Sequence, residues 1–200
     1  MLSPYFAPCG YSVITSRWTN SFRLSRGLAL LFAIGSVTWA ASSLAGDFCL
    51  ESVGVRGGFS SDARGDDFYM VEAIVNCNLP WRWDLGADFG LQTGLNFSAG
   101  TLGDNTQNAF MGTVGPSLLL NYRNWPISLE AGTGPTLLSQ STFGSKDYGS
   151  IFQFTSYIGL NWDFARHWRL SYDFQHMSNA HLADHNPGLN MHVFGLSYLF

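Results

Sequence analysis

The residues of this chain best suited to chemistry stand near its end, where His176 and Ser178 flank Met177 and are followed by Asn179-Ala180. The run Asn186-Pro187-Gly188-Leu189-Asn190 starts ten residues after His176. A base and a hydroxyl nucleophile two residues apart share one face of a β-strand, because side chains alternate with period two. The chemistry such a pair supports is acyl transfer. Ser178 attacks an ester carbonyl, and His176 takes its proton and returns it to the departing alcohol. A third group must hold the imidazole tautomer, and donors must meet the developing oxyanion. Asn190 can accept from the imidazole; Asn179 or local backbone N–H groups can serve the oxyanion. All five His lie in the last 34 residues, so acid/base work is confined there.

The elements that must position these residues show up as alternation. From Trp83 the odd positions read Trp83, Leu85, Ala87, Phe89, Leu91, Thr93, Leu95 and Phe97, with polar residues or Gly between them. The same pattern recurs over 108–122, 152–162 and 167–178, and it predicts half-buried strands. Eight strands are expected, at 50–60, 67–77, 82–97, 108–122, 127–138, 148–162, 167–178 and 188–200. Short connections (78–81, 123–126, 163–166) alternate with longer polar ones (61–66, 98–107, 139–147, 179–187). The fold class expected is all-β, an eight-stranded antiparallel transmembrane β-barrel of the bacterial outer-membrane kind. Charged residues are only 12% and aromatics 16%. Trp81, Trp83, Trp125, Trp162, Trp168 and Tyr198 gather at the short-turn ends, where an interfacial girdle belongs. The rival is a soluble lipocalin-like barrel with its apolar parity inside; the Gly and Asp on the polar parity suit a small wet lumen better.

Residues 1–45 read as a secretory signal peptide: Arg17, Arg23 and Arg26 precede an uncharged apolar run at 27–41, then Ser43-Leu44-Ala45 offers a cleavage site. The mature barrel is then 46–200. The signal holds three of the ten Lys+Arg and none of the fourteen Asp+Glu, so the mature chain has seven basic and fourteen acidic residues. That balance argues against nucleic acid, which needs a basic surface. Cys49 and Cys77 are symmetric about Ala63 in the first hairpin. An exported pair is a disulfide candidate, and two buried free thiols are the alternative.

In the 167–178 strand the apolar parity is even (Trp168, Leu170, Tyr172, Phe174), and continuing it gives His176 and Ser178. In the final strand His192, Phe194, Leu196, Tyr198 and Phe200 share the parity of Asn190. A hairpin symmetric about Ala183 sets His176 opposite Asn190. The three residues then cluster on the outside of the barrel at its long-loop end, at headgroup depth, where polar groups are tolerated. A wet strand tip is the plain reading of the same residues.

The run His176-Met177-Ser178-Asn179-Ala180 with Asn186-Pro187-Gly188 resembles the signature of the lipid A 3-O-deacylase (PagL) family of eight-stranded outer-membrane barrels. The resemblance implies that Ser178 is the nucleophile and His176 the general base of an esterase. Its substrate would be the 3-O-linked hydroxyacyl ester of lipid A, and neither cofactor nor metal is implied. It also implies a Glu where this chain has Asn190, and a small Gly where it has His181. Asn fixes a tautomer but cannot balance imidazolium by charge, so a non-catalytic barrel with a decayed site is the alternative. Asp184 is a possible substitute acid. His181 and His185 have a metal-like spacing, but Pro187 argues against the helix that spacing needs. Gly195-Leu196-Ser197-Tyr198-Leu199-Phe200 resembles the C-terminal signal read by the barrel-assembly machinery.

Overall fold

The computed structural model describes residues 49–60 and 67–200. The signal segment 1–45 and the polar run 61–66 lie outside the described residues. Eight long strands are β1 (Cys49–Ser60), β2 (Tyr69–Gly86), β3 (Phe89–Gly103), β4 (Asn108–Tyr122), β5 (Ile127–Leu138), β8 (Phe152–Ala165), β9 (Trp168–Ser178) and β10 (Leu189–Leu199). They close into an antiparallel barrel in the order β1-β10-β9-β8-β5-β4-β3-β2. A separate two-stranded hairpin, β6 (Thr142–Phe143) with β7 (Lys146–Asp147), lies in the connection between β5 and β8.

The strands alternate as their sequence predicts, with the apolar parity outside. Val53, Val55, Val71, Phe97, Leu118, Leu129, Ile158, Leu160, Leu170 and Phe194 are exposed. An exposed apolar band running round a closed barrel is stable only in hydrocarbon, so the lipocalin-like arrangement is excluded. The aromatic girdle is in place, with Trp81, Trp83, Trp125, Trp162, Trp168 and Tyr198 exposed.

Inside, the lumen is held by charge-assisted hydrogen bonds. Arg56 Nε donates to Glu72 Oε2 at 2.7 Å, and Arg169 bridges Asp163 (2.6 Å) and Glu51 (2.9 Å). Glu130 accepts from Asn96, Tyr157 and Asn161 at 2.7–3.0 Å. At the long-loop end the interior turns apolar. Phe68, Met70, Leu102, Met111, Leu138, Met177, Leu189 and Met191 meet Phe143 and Tyr148, brought in by the β6–β7 hairpin. This plug needs no ligand to fill it.

Three expectations are corrected. The strand pair β2–β3 turns at 87–88 and not at 78–81: β2 runs through Pro80 by a register shift between Asn78 and Arg82. That shift is two residues and keeps parity; a second shift of one residue, between Asp84 and Gly86, offsets the parity change of the two-residue turn. The odd positions therefore stay outside on both sides of the turn, and two strands read as one. Ala87 and Asp88 take positive φ (49° and 69°), as a two-residue hairpin turn requires. The expected loop at 98–107 contracts to four residues, 104–107, because Asp104 Oδ1 accepts from the N–H groups of Thr106 and Gln107 at 2.7 Å and shapes a tight turn. The strand expected from 148 begins at Phe152, since Gly149 has φ +74° and Tyr148 turns into the plug.

The centre of the first hairpin also differs. Ser60 N–H bonds to the Phe68 carbonyl, Asn76 to Ser52, and Arg56 to Glu72. These contacts centre the first hairpin one residue later than expected, so Cys77 lies opposite Glu51. Cys77 is a free thiol.

Candidate active site on the lipid face

β9 and β10 position the site because their alternation continues to the last residue of each. His176 is exposed on the outer face while Gln175 and Met177 are buried inside. The register places Asn190 opposite His176 and Leu189 opposite Met177. His176 Nδ1 and Asn190 Oδ1 are 2.7 Å apart. An amide oxygen can only accept, so Nδ1 carries the proton and Nε2 is left with its lone pair. That is the tautomer a general base toward Ser178 needs.

Ser178, the last residue of β9, is partly exposed and stands on the same face as His176, opposite Phe154 of β8. Among the described residues its hydroxyl makes no hydrogen bond. Such bonds commonly close only when substrate is bound.

The loop from 179 to 188 is tied down from both ends. Asn179 donates its backbone N–H to Asn186 Oδ1 at 3.0 Å. Its side-chain Nδ2 donates to the carbonyls of Tyr148 (2.9 Å) and His185 (2.7 Å). The Asn179 side chain is fully buried. The side-chain amide expected at the oxyanion thus faces inward, with both protons given to the backbone. It does not join His176, Ser178 and Asn190.

Asn179 also opens a tight turn. Leu182 N–H bonds to the Asn179 carbonyl at 3.0 Å, across Ala180 (φ 52°) and His181 (φ 61°). Positive φ at both central residues defines a type I′ turn. Neither central residue is Gly, so the turn carries strain of the kind that gathers at functional sites. Among the described residues the N–H groups of Ala180 and His181 make no hydrogen bond.

Two further residues belong to the site and were not expected from the sequence. Gly188 has φ +67°, and a Cβ built on it would stand 3.1 Å from His176 Cε1. The imidazole lies against bare backbone there. Ser156 of β8 is exposed beside His176 in register, and its hydroxyl bonds to that of Thr133 at 2.8 Å. Parity would have found Ser156; Gly188 had only its place in the motif.

Comparison with known proteins bears on this arrangement. The sequence model of the lipid A 3-O-deacylase (PagL) family matches residues 68–199, well over half of the chain. The chain belongs to the PagL family. The lipid A deacylase PagL of Bordetella bronchiseptica is 38% identical over 72 residues, which cover 36% of this chain and 40% of that protein. The matched stretch thus spans less than half the length of that relative. The crystal structure of the outer membrane enzyme PagL superposes with a TM-score of 0.59 at 19% identity, over 72% of this chain and 97% of that one. That likeness supports the PagL-type barrel fold, and the chain is an outer-membrane barrel.

Proposed function

We propose that this protein is a serine esterase of the outer membrane that hydrolyses the 3-O-linked hydroxyacyl ester of lipid A. The observation that carries the reading is the His176–Asn190 contact of 2.7 Å on the lipid face, one side-chain step from Ser178. Family membership supplies the substrate class.

Ser178 Oγ attacks the ester carbonyl as His176 Nε2 takes its proton, and Asn190 Oδ1 holds the imidazole through Nδ1–H. The N–H groups of Ala180 and His181 meet the oxyanion. Collapse expels the sugar hydroxyl, protonated by His176, and leaves an acyl-Ser178. Water, deprotonated by His176, attacks that ester and frees the fatty acid and Ser178. Residues 1–45 act as the export signal that delivers the barrel to its membrane. The Phe200 ring, exposed and packed edge-on against Tyr198, suits recognition by the barrel-assembly machinery.

The test is mass spectrometry of lipid A from cells expressing the protein. Wild type should remove one hydroxyacyl chain, and Ser178→Ala should reduce that release by about 10³-fold or more. Equal release by both would overturn the Ser178 assignment. The substitution of Asn190 for the family's Glu favours a second reading, a barrel that no longer catalyses. Under it lipid A stays intact with wild type and loses a chain only with Asn190→Glu.

A further inference from the structure

The outward face of β5 reads Ile127, Leu129, Ala131, Thr133, Pro135 and Leu137. That of β8 reads Phe152, Phe154, Ser156, Ile158, Leu160, Trp162 and Phe164. Each strand thus presents one polar side chain to the lipid. The two are cross-strand partners, and their hydroxyls bond to each other at 2.8 Å. Ser156 is in turn the register partner of His176, and His176 of Asn190. Thr133, Ser156, His176 and Asn190 therefore form one polar row across four neighbouring strands, with Ile158, Phe174 and Ala131 below it and Phe154 and Pro135 above.

We propose that the Ser156–Thr133 hydroxyl pair binds a hydroxyl group carried by the acyl chain itself, and so selects hydroxyacyl over plain acyl esters. The proposal rests on the esterase reading of Ser178. Ser156 stands diagonally across from Ser178, where backbones are roughly 7–8 Å apart and side chains closer. A hydroxyl on the third carbon of the chain is two carbon–carbon bonds from the ester carbonyl. With the carbonyl at Ser178, that hydroxyl falls toward β8, and the remaining chain continues over Ile158 and Leu160. The Ser156 hydroxyl, bonded once to Thr133, retains capacity for a further partner. In hydrocarbon, a substrate hydroxyl left without a partner is penalised more than in water.

The experiment uses the barrel in detergent micelles with two ester substrates of equal chain length, one bearing a 3-hydroxyl and one without it. Wild type should favour the hydroxylated ester about tenfold in kcat/KM, as one hydrogen bond supplies. Ser156→Ala should bring the ratio close to one, Thr133→Val should reduce it about threefold, and Ser156→Thr should restore it. A ratio that is the same in wild type and Ser156→Ala overturns the hydroxyl proposal and leaves the esterase standing. A lower rate on both esters with an unchanged ratio shows that the pair only joins β5 to β8, which also overturns it. Hydrolysis of neither ester by wild type overturns the esterase reading and this proposal with it.

Discussion

At Asn190 the chain carries an amide where the signature it resembles implies a carboxylate. The Oδ1 atom sets the tautomer, which is the larger part of the task when the alternative is a proton on the wrong nitrogen. What it lacks is charge to balance the imidazolium that the proposed attack by Ser178 would form. Asn190→Glu should therefore raise the deacylation rate by about tenfold or more, and Asn190→Leu should lower it about 10²-fold. Initial rates on lipid A in micelles check both; a Glu variant no faster than wild type would show that charge is not limiting. Gly188 acts through His176. Gly188→Ala puts a methyl group against Cε1 and forces an unfavourable φ, so kcat should fall about tenfold with KM little changed. Equal change in both parameters would mark a general loosening of the loop.

The β9–turn–β10 element carries the site, and its turn is the strained part. At His181, φ +61° costs an L-residue about 1–2 kcal/mol. His181→Gly should stabilise the barrel by about 0.5–1 kcal/mol, read as a rise in the temperature at which its heat-modified gel migration appears. No rise would mean the ring's contacts offset the backbone strain. Much of this element was legible beforehand. Strict alternation fixed the outer face of Trp168, Leu170, Tyr172, Phe174 and His176, and hairpin symmetry set Asn190 opposite His176. Asn179 was misplaced because the parity count stopped at Ser178; one more step turns it inward. The β2–β3 turn was not legible, because Asn78-Leu79-Pro80 reads as a turn in isolation. Only the bulges that carry Pro80 and Leu85 reconcile the sequence with a longer strand.

For the whole molecule, the ionic lumen is where removal of one partner costs most, since the outer face is solvated by lipid. Arg56 and Glu72 are nearly enclosed, with side-chain exposures of 11% and 0%. Arg56→Met leaves the Glu72 carboxylate without its cation and should destabilise the folded barrel by about 3–5 kcal/mol, measurable by urea titration in detergent. A loss below about 1 kcal/mol would show that Ser98, which also donates to Glu72, suffices on its own. The plug of Phe68, Phe143, Tyr148 and their neighbours has another consequence. Directly behind the candidate site the wall is one strand thick, and on its inner side Met177 and Leu189 are buried in the plug. In the proposed mechanism the water that frees an acyl group from Ser178 comes from the outer face of the barrel, where His176 is exposed. Under that mechanism an alcohol reaching the same face competes with water for the acyl group on Ser178, so transfer to an added alcohol accompanies hydrolysis.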